Sequence, residues 1–413
     1  MIFIFSILFS LLATASPVQV RFENLNDLLI KGNAQLAASN SLLKAAENRK
    51  GSLARSFFPS LEVYGSNETF KIGENSSKSQ PKYGAELQMN LYNGGKDSLE
   101  SKRRELNHQK LSFHNQRVIS EELLKARILY WEILYNQDLL KLTQEMKEIS
   151  NQNTKQALRR IQSGVATNSD RFEFEMQSVE INQDLLETEL KLYKLKKEFK
   201  VLMNLDLKTD VQFPENKNHD HDLSELKKHS VQDHEFLFKE AELESENKKI
   251  SSTLLKRDLW PSVKAYAAYN QFNEREEREF PRDRDRVESV VGLKMTISLP
   301  SLLESRSEAR ALDHEAAAYR ALAEDQKRSL EVHFENEIKE LELLHSQVHE
   351  AEENITRSEK YYKLTQAEYS RGAKNSPDVL GASEKFFEVK NKHLKILKEF
   401  QISKSHILSK VGR

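Results

Sequence analysis

The sequence contains no cysteine among its 413 residues. This absence excludes a disulfide-stabilised scaffold, a cysteine-ligated zinc or iron–sulfur site, a thiol nucleophile and a lipid anchor on an N-terminal cysteine. Glycine and proline are also scarce, with 12 and 8 residues. Because these two residue types terminate helices, their scarcity argues against a loop-rich enzyme and predicts long uninterrupted helices.

The chain also lacks an excess of charge of either sign. It carries 63 Lys and Arg against 64 Asp and Glu, a net charge of -1, although 31% of its residues are charged. This balance excludes a polybasic nucleic-acid-binding surface and a polyacidic disordered tail as the main feature, so no nucleic-acid partner is expected. The charged residues must therefore be distributed over surfaces that carry both signs.

Long apolar runs are absent except at the N-terminus. The run from Met1 to Leu12 is too short for a membrane-spanning helix, which needs about 20 residues, and it is followed by Ala13-Thr14-Ala15. We therefore predict that residues 1–15 are a signal peptide, with a short N-terminal anchor as the alternative.

The rest of the chain contains an internal repeat. Phe58-Pro59-Ser60-Leu61 recurs 202 residues later as Trp260-Pro261-Ser262-Val263, and the spacing of Gly164 and Asp170 recurs as that of Gly372 and Asp378. In each half the predicted order is helix, strand, strand, long helix, tight turn and helix. The predicted divisions are a signal peptide (1–15), a first repeat (16–204), a polar linker (205–222) and a second repeat (223–413).

The predicted helices are long and have apolar residues at spacings of three and four. Helices are predicted at about 25–55, 95–161, 169–203, 223–259, 301–369 and 376–410. Such seams with Glu and Lys between them are typical of coiled coils, although an ordinary helical bundle accounts for them equally well. At 1.5 Å per residue, each of the two longest helices would reach on the order of 100 Å.

Four short segments have the alternation of β-strands. They are predicted at 61–70, 83–91, 263–272 and 291–299, and the second and fourth have a wholly apolar face. A transmembrane β-strand needs about 9–11 such residues, whereas a soluble half-buried sheet is the alternative. The loop from Glu274 to Arg286 has 11 charged residues of 13, which suits the extracellular end of a hairpin. Because lipid does not tolerate open sheet edges, four strands per chain predict a barrel shared between protomers, most simply twelve strands from three chains.

In this order, the features resemble the TolC-like outer-membrane efflux protein family over essentially the whole mature chain. The resemblance rests on the strand starts at Phe58 and Trp260, on Leu91-Tyr92-Asn93-Gly94-Gly95, and on Tyr369-Ser370-Arg371-Gly372 followed by Asp378-Val379-Leu380-Gly381-Ala382. It implies a mainly α protein with a small β part. Long antiparallel coiled-coil helices and four transmembrane β-strands per protomer would complete a twelve-stranded trimeric β-barrel and a periplasmic α-barrel.

The resemblance also implies a function and partners. The protein would be a homotrimer in the lipid of the cell outer membrane, extending into the periplasm. It would dock on a periplasmic adaptor (membrane fusion) protein and an inner-membrane pump. The trimer would serve as the passive exit duct of a tripartite efflux or type I secretion system.

The implied site lies at the inner end of the duct. In the family, an acid at the Asp378 position points into the closed periplasmic aperture, which gives a ring of three carboxylates in the trimer. A second family acid is replaced here by Gly381, which leaves a single ring. Capping of a helix start after Pro377 accounts for Asp378 as well.

Two further sets of residues are implied by the resemblance. The latch between neighbouring coils would comprise Ser169, Asp170, Tyr369 and Lys374, with Lys374 in place of a usual Arg. The adaptor-docking tips would comprise Arg160, Gly164, Val165, Arg371, Gly372 and Ala373. Helix C-caps are the plain alternative for the glycines.

The sequence offers little chemistry of its own. It has none of the common nucleotide-binding, hydrolase or metalloprotease motifs, so no catalytic residues and no cofactor are expected. The segment from His219 to Asp222 could bind metal, but alternation of this kind in a polar linker is more often solvated charge. We therefore expect no metal site and no enzyme. The alternative class is an exported periplasmic coiled-coil adaptor or scaffold without a channel, in which a protein core would cover the apolar strand faces.

Overall fold

The computed structural model describes most of the mature chain. The described residues are 18–50, 57–72, 76–164, 167–214, 236, 238–274, 284–297 and 302–410. The predicted signal peptide, Val165 and the segment from His219 to Asp222 lie outside them.

The elements follow the predicted order. In chain order the strands are β1 (Val18–Gln19), β2 (Ser60–Ile72), β3 (Ser76–Asn93), β4 (Val211–Gln212), β5 (Ser262–Glu274) and β6 (Arg284–Thr296). The helices are α1 (Leu25–Gly32), α2 (Ala34–Lys50), α3 (Lys96–Gln162), α4 (Asn168–Leu202), α5 (Lys239–Lys256), α6 (Leu302–Ser370) and α7 (Ser376–Lys410). The two long helices have 67 and 69 residues, which confirms the mainly α fold with a small β part. Among the described residues, no helix is long and apolar enough to cross a bilayer.

The described residues divide into two compact units. One, here the sheet unit, comprises those within 39–115 and 236–327. The other, the helical unit, comprises those within 1–38, 116–235 and 328–413. Each unit therefore contains residues from both predicted repeats.

The sheet unit contains an antiparallel sheet in the order β2-β3-β5-β6. Two strand boundaries differ from the prediction: β3 begins inside the first predicted loop, and β6 covers 284–296 instead of 291–299. The β5–β6 pairing continues as far as Glu274 opposite Arg284. Backbone hydrogen bonds pair strands whatever their side chains, so the ladder extends beyond the segment in which apolar residues alternate.

Large apolar residues are exposed along one face of this sheet. On β2 and β6 they include Val63, 76% exposed, and Val291, 85% exposed. Leu61, Tyr83, Leu87, Tyr269, Leu293 and Met295 are exposed on the same face. The alternation read from the sequence is therefore present, and in the described part of the chain its apolar side has no protein core over it.

Close helix packing supports the sheet unit. Ala309 and Ala316 of α6 are buried, and their carbonyl oxygens accept hydrogen bonds of 3.0 and 2.7 Å from the hydroxyls of Ser252 and Ser245 of α5. Small residues seven positions apart on each helix allow the two backbones to approach. Where β3 meets α3, Gly95 adopts a φ of 68°, and its carbonyl oxygen accepts a 2.8 Å hydrogen bond from Arg257.

The helical unit corrects one sequence prediction and adds a contact that the sequence did not predict. The helix expected at 25–55 is broken at Asn33, which is extended, with a ψ of 125°. The Asn33 amide nitrogen donates to the Glu122 carboxylate at 2.8 Å and to the Leu202 carbonyl oxygen at 3.0 Å, so contacts with distant residues stabilise the break. In the predicted polar linker, β4 pairs in parallel with β1, and Val211 of β4 is buried in the core of this unit.

The predicted coiled-coil seams form the core of the helical unit. On α3, Ala126, Tyr130 and Ile133, which follow one another at spacings of four and three, are buried in a cluster with Phe199 of α4. A second cluster joins the seam residues of α6 and α7, which are Leu341, Leu344, Val348, Ile396 and Phe400. A third cluster, described below, lies beneath the turns between the helices.

Candidate functional site at the interhelical turns

Two tight turns of the helical unit carry the predicted site residues. The first turn joins α3 to α4 and the second joins α6 to α7. Gly164 and Gly372 adopt φ values of 72° and 82°, in the left-handed region that favours glycine. At the second turn the Gly372 and Ala373 N–H groups donate to the carbonyl oxygens of Tyr369 and Glu368 at 3.0 Å each. A Cβ at either glycine would meet nothing within 4 Å, so the backbone conformation, and not space, requires glycine.

Each turn is followed by a helix whose third residue is an aspartate. Asp170 accepts a 2.8 Å hydrogen bond from the Thr167 backbone N–H, and Asp378 accepts one of 3.1 Å from that of Asn375. Carboxylates in the first turn of a helix also interact favourably with its dipole. Asp378 therefore stabilises a helix start, but it stands at the third helical position and not at the N-cap.

The first contact between the two turns joins Arg160 to Tyr369. The Arg160 guanidinium lies 4.1 Å from the centroid of the Tyr369 ring. Its Nη1 also donates a 2.7 Å hydrogen bond to the Tyr369 carbonyl oxygen, which lies at the C-terminal end of α6. A cation is favourable at a helix C-terminus and over an aromatic face. Arg160, from the first repeat, thus stabilises the C-terminal end of α6 in the second repeat.

The second contact joins Ser376 to two carboxylates. Ser376 is fully buried, and its Oγ lies within hydrogen-bond distance of an Asp170 oxygen and at 2.8 Å from Glu173 Oε2. A hydroxyl has one proton, so it can donate to only one of these carboxylates at a time. We call this arrangement of Asp170, Glu173 and Ser376 the serine clasp.

An apolar cluster lies beneath these contacts. Tyr369 is only 1% exposed, and its ring packs edge-on against Phe174 at 6.2 Å between centroids. Val379, Ala382 and Phe386 are buried in the same cluster. Burial of this kind is the main stabilising contribution at the turns, and it holds the polar contacts in place.

The environment shifts the pKa of two of these groups. Partial burial acts to raise the pKa of Asp170, but hydrogen bonds from Ser376 and Thr167 outweigh it and lower the pKa from its ordinary value of 3.8. Burial raises the pKa of Tyr369 above its ordinary value, against the opposing charge of Arg160. At neutral pH, Asp170 is therefore charged and Tyr369 is neutral.

The structure brings some of the predicted residues together and leaves others apart. Of the four latch residues, Tyr369 and Asp170 join the two turns through Arg160 and Ser376. Lys374 instead pairs with Asp378 of its own turn at 3.7 Å, and Ser169 is exposed. Among the predicted tip residues, Gly164, Arg371, Gly372 and Ala373 are exposed, whereas Arg160 is half-buried.

Sequence reasoning missed Ser376 and Glu173. Ser376 is the first residue of α7, where Ser is common, and Glu173 lies in the second turn of α4 as one of many helical acids, so neither carries a specific signal. Only the buried position of Ser376, opposite two acids of the other turn, indicates its role. In the described part of the chain, no group of three or more His, Asp or Glu side chains is placed to bind a metal ion.

Comparison with known proteins identifies the class. The model of the family "Outer membrane efflux protein" matches residues 25–194 and 229–412, which is most of the chain. The chain therefore belongs to this family, and it is an efflux channel of the cell outer membrane that extends into the periplasm. This confirms the resemblance to TolC-like channels, which are not enzymes. No curated protein matches the chain by sequence.

Solved structures share the fold at low sequence identity. The outer-membrane channel OprN has a TM-score of 0.79 at 14% identity, with 95% of this chain and 89% of that chain covered. VceC from Vibrio cholerae has a TM-score of 0.77 at 12% identity, with 95% and 96% covered. The CmeC outer membrane channel of Campylobacter jejuni has a TM-score of 0.78 at 13% identity, with 95% and 85% covered.

Proposed function

We propose that the protein is a homotrimeric channel-tunnel, the passive exit duct of a tripartite efflux or type I secretion system. It would dock through its interhelical turns on a periplasmic adaptor protein and an inner-membrane pump. The duct has no energy source of its own, so the pump would supply the energy and largely select the cargo.

The observation that carries this proposal is the four-stranded sheet, whose two edge strands pair with no further strand among the described residues. Its edge strands are β2 and β6, and one of its faces exposes large apolar side chains. In lipid an unpaired strand edge leaves backbone groups without hydrogen bonds, each at a cost of several kcal/mol. The edges must therefore pair with those of other copies. Three copies give twelve strands, which is enough to close a barrel.

A second observation, from the helical unit, favours association of copies. One face of α4 carries exposed apolar residues at spacings of four, three, seven, four and three, and all are between 54% and 64% exposed. They are Phe172, Met176, Val179, Leu186, Leu190 and Tyr193. Such a stripe is typical of a coiled-coil seam, and the part of the chain that the structure describes leaves it uncovered. A neighbouring copy would cover it.

The turns suit both a gate and a docking surface. Asp378 is half exposed beside Lys374, so three copies could form the carboxylate ring of a closed aperture. We propose that the latch consists of the Arg160–Tyr369 contact and the serine clasp. Lys374 would partly neutralise the charge of Asp378 through their ion pair. Docking would use the exposed residues Gly164, Arg371, Gly372 and Ala373, together with Val165.

The first test is the assembly state of the mature protein. We expect it in the outer-membrane fraction, as a detergent-solubilised particle with the protein mass of three chains that conducts ions across a planar bilayer. Leu186→Glu with Leu190→Glu should reduce the trimer, whereas Glu189→Lys, also on α4, should not. A soluble monomer or dimer from the periplasm would contradict the channel and favour the coiled-coil adaptor or scaffold.

The second test concerns the latch. Asp170→Ala should loosen the closed turns and let large solutes leak inward, which increases sensitivity to vancomycin and raises single-channel conductance. Lys374→Ala should have a smaller effect in the same direction, because the ion pair of Lys374 lies within its own turn. Ser169→Ala is the matched control. Unchanged sensitivity and conductance in Asp170→Ala would contradict the latch.

A further inference from the structure

The face of the sheet opposite the exposed apolar residues is polar and ordered in rows. The strand register aligns side chains across β2, β3, β5 and β6. One row is acidic, the next is uncharged and the next is basic. In order they are Glu62–Glu86–Ala268–Val290, then Ser60–Gln88–Tyr266–Gly292, then Asn90–Lys264–Lys294.

The acidic row places two like charges side by side. Glu62 lies directly opposite Glu86 across the β2–β3 pair. Like charges at directly opposed positions of a sheet repel each other and destabilise it. Glu86 accepts a 2.8 Å hydrogen bond from the Gln88 side chain, an uncharged donor that leaves both negative charges in place.

The basic row repeats this arrangement with the opposite sign. Lys264 lies directly opposite Lys294 across the β5–β6 pair, and both are exposed. The two charged rows are four residues apart along a strand, about 13 Å at 3.3 Å per residue. This separation is too long for ion pairs between the rows, so neither pair of like charges is neutralised by the other.

Tyrosine rings fill the glycine positions between and beside these rows. A Cβ at Gly292 would lie 3.1 Å from the Tyr266 ring, and one at Gly84 would lie 2.9 Å from the Tyr64 ring. The Tyr64 hydroxyl donates a hydrogen bond to the Asn270 side chain. The rings therefore lie across the sheet at fixed positions, and the charged side chains extend from a well-packed surface.

We propose that these rows form two charged rings of opposite sign in the channel, with Glu62 and Glu86 attracting cations and Lys264 and Lys294 attracting anions. The inference rests on the proposed function, because the polar face lines a channel only if copies of the sheet close a barrel with their apolar faces toward lipid. Each of three copies would then contribute two carboxylates to one ring and two ammonium groups to the other. The two rings oppose each other, so solutes of either sign are admitted with little preference.

The test is the reversal potential of the full-length trimer in a planar bilayer under a KCl gradient. Neutralising the basic row with Lys264→Gln and Lys294→Gln should raise the potassium-to-chloride permeability ratio about fivefold. This is the effect of one unit charge on a monovalent ion about 4 Å away in water. Neutralising the acidic row with Glu62→Gln and Glu86→Gln should lower this ratio by a similar factor.

A variant that exchanges the two rows controls for net charge. It combines Glu62→Lys and Glu86→Lys with Lys264→Glu and Lys294→Glu, so its formal charge equals that of the parent. We expect any asymmetry of the current–voltage curve to reverse its direction in this variant. Each variant is first checked for the trimer mass.

The outcomes separate the inference from the function on which it rests. A protein that gives no conductance contradicts the proposed channel. A conducting trimer in which both neutralised variants keep the parental permeability ratio overturns the proposed charged rings and leaves the channel intact.

Discussion

The two interhelical turns have the same local geometry but different partners. Both have a glycine with positive φ and an aspartate three positions into the next helix that accepts a backbone N–H. Asp170 also takes part in the serine clasp, whereas the side-chain partner of Asp378 in the described part of the chain is Lys374 of its own turn. Local capping is thus duplicated, but the link between the turns is not.

The reason lies in the residues that the repeat does not preserve. At the repeat offset of 208 residues, the counterpart of Glu173 is Gly381, and that of Ser376 is Asn168. A reciprocal clasp would need an acid at Gly381, so only one can form. In this duplicated fold, the second turn therefore supplies the hydrogen-bond donor, Ser376, and the first turn supplies the acceptors, Asp170 and Glu173.

The largest expected effect comes from removing the aromatic ring that both turns share. Tyr369→Ala should cost about 3–5 kcal/mol, as expected for a fully buried aromatic side chain. Hydrogen exchange at the Gly372 and Ala373 amides should measure this as lost protection. Tyr361→Ala on the same helix is the matched control, because Tyr361 is 55% exposed. Equal losses in both variants would mean that the ring does not hold the turns together.

The next effect tests the difference between the two aspartates. Asp170→Asn should cost about 1.5–3 kcal/mol, because it weakens charge-assisted hydrogen bonds, whereas Asp378→Asn should cost about 0.5–1 kcal/mol for a partly exposed helix start. Double-mutant cycles with Ser376→Ala, followed by hydrogen exchange, should give coupling for Asp170 only. Coupling of Ser376 to Asp378 would remove the asymmetry between the turns.

Low pH should weaken the serine clasp, because Asp170 becomes protonated. Its pKa is lowered in the folded protein, so the contribution of this group to stability is fully present above the ordinary value of 3.8 and is lost as pH falls through the lowered pKa. Protection factors of the turn amides, corrected for intrinsic exchange, should fall over this range. Asp170→Asn should lack this component, and an unchanged pH profile in that variant would assign the acid sensitivity to another group.

The smallest effect concerns the feature that the turns share. Gly164→Ala and Gly372→Ala should each cost about 1 kcal/mol, because an L-residue is disfavoured at positive φ although there is room for its Cβ. Thermal unfolding of the two variants should give similar shifts. A much larger shift for one turn would mean that its backbone conformation matters beyond capping.

Much of the fold could be predicted from neighbouring residues in the sequence. The scarcity of glycine and proline predicted α3 and α6 to within about one residue at each end, and alternation predicted all four long strands. Helix and strand signals are local, since they depend on the spacing of side chains along one segment. Through the family resemblance, the sequence also predicted Asp170 and Tyr369 as site residues, and the structure places both in contacts between the two turns.

The tertiary structure alone decided the features that depend on distant residues. The break at Asn33 depends on Glu122 and Leu202, and the β1–β4 pair joins segments almost two hundred positions apart. The serine clasp likewise needs Asp170 and Ser376 to meet across 206 positions. No local pattern encodes such contacts, because they form only when the apolar seams have packed and brought these helix ends together.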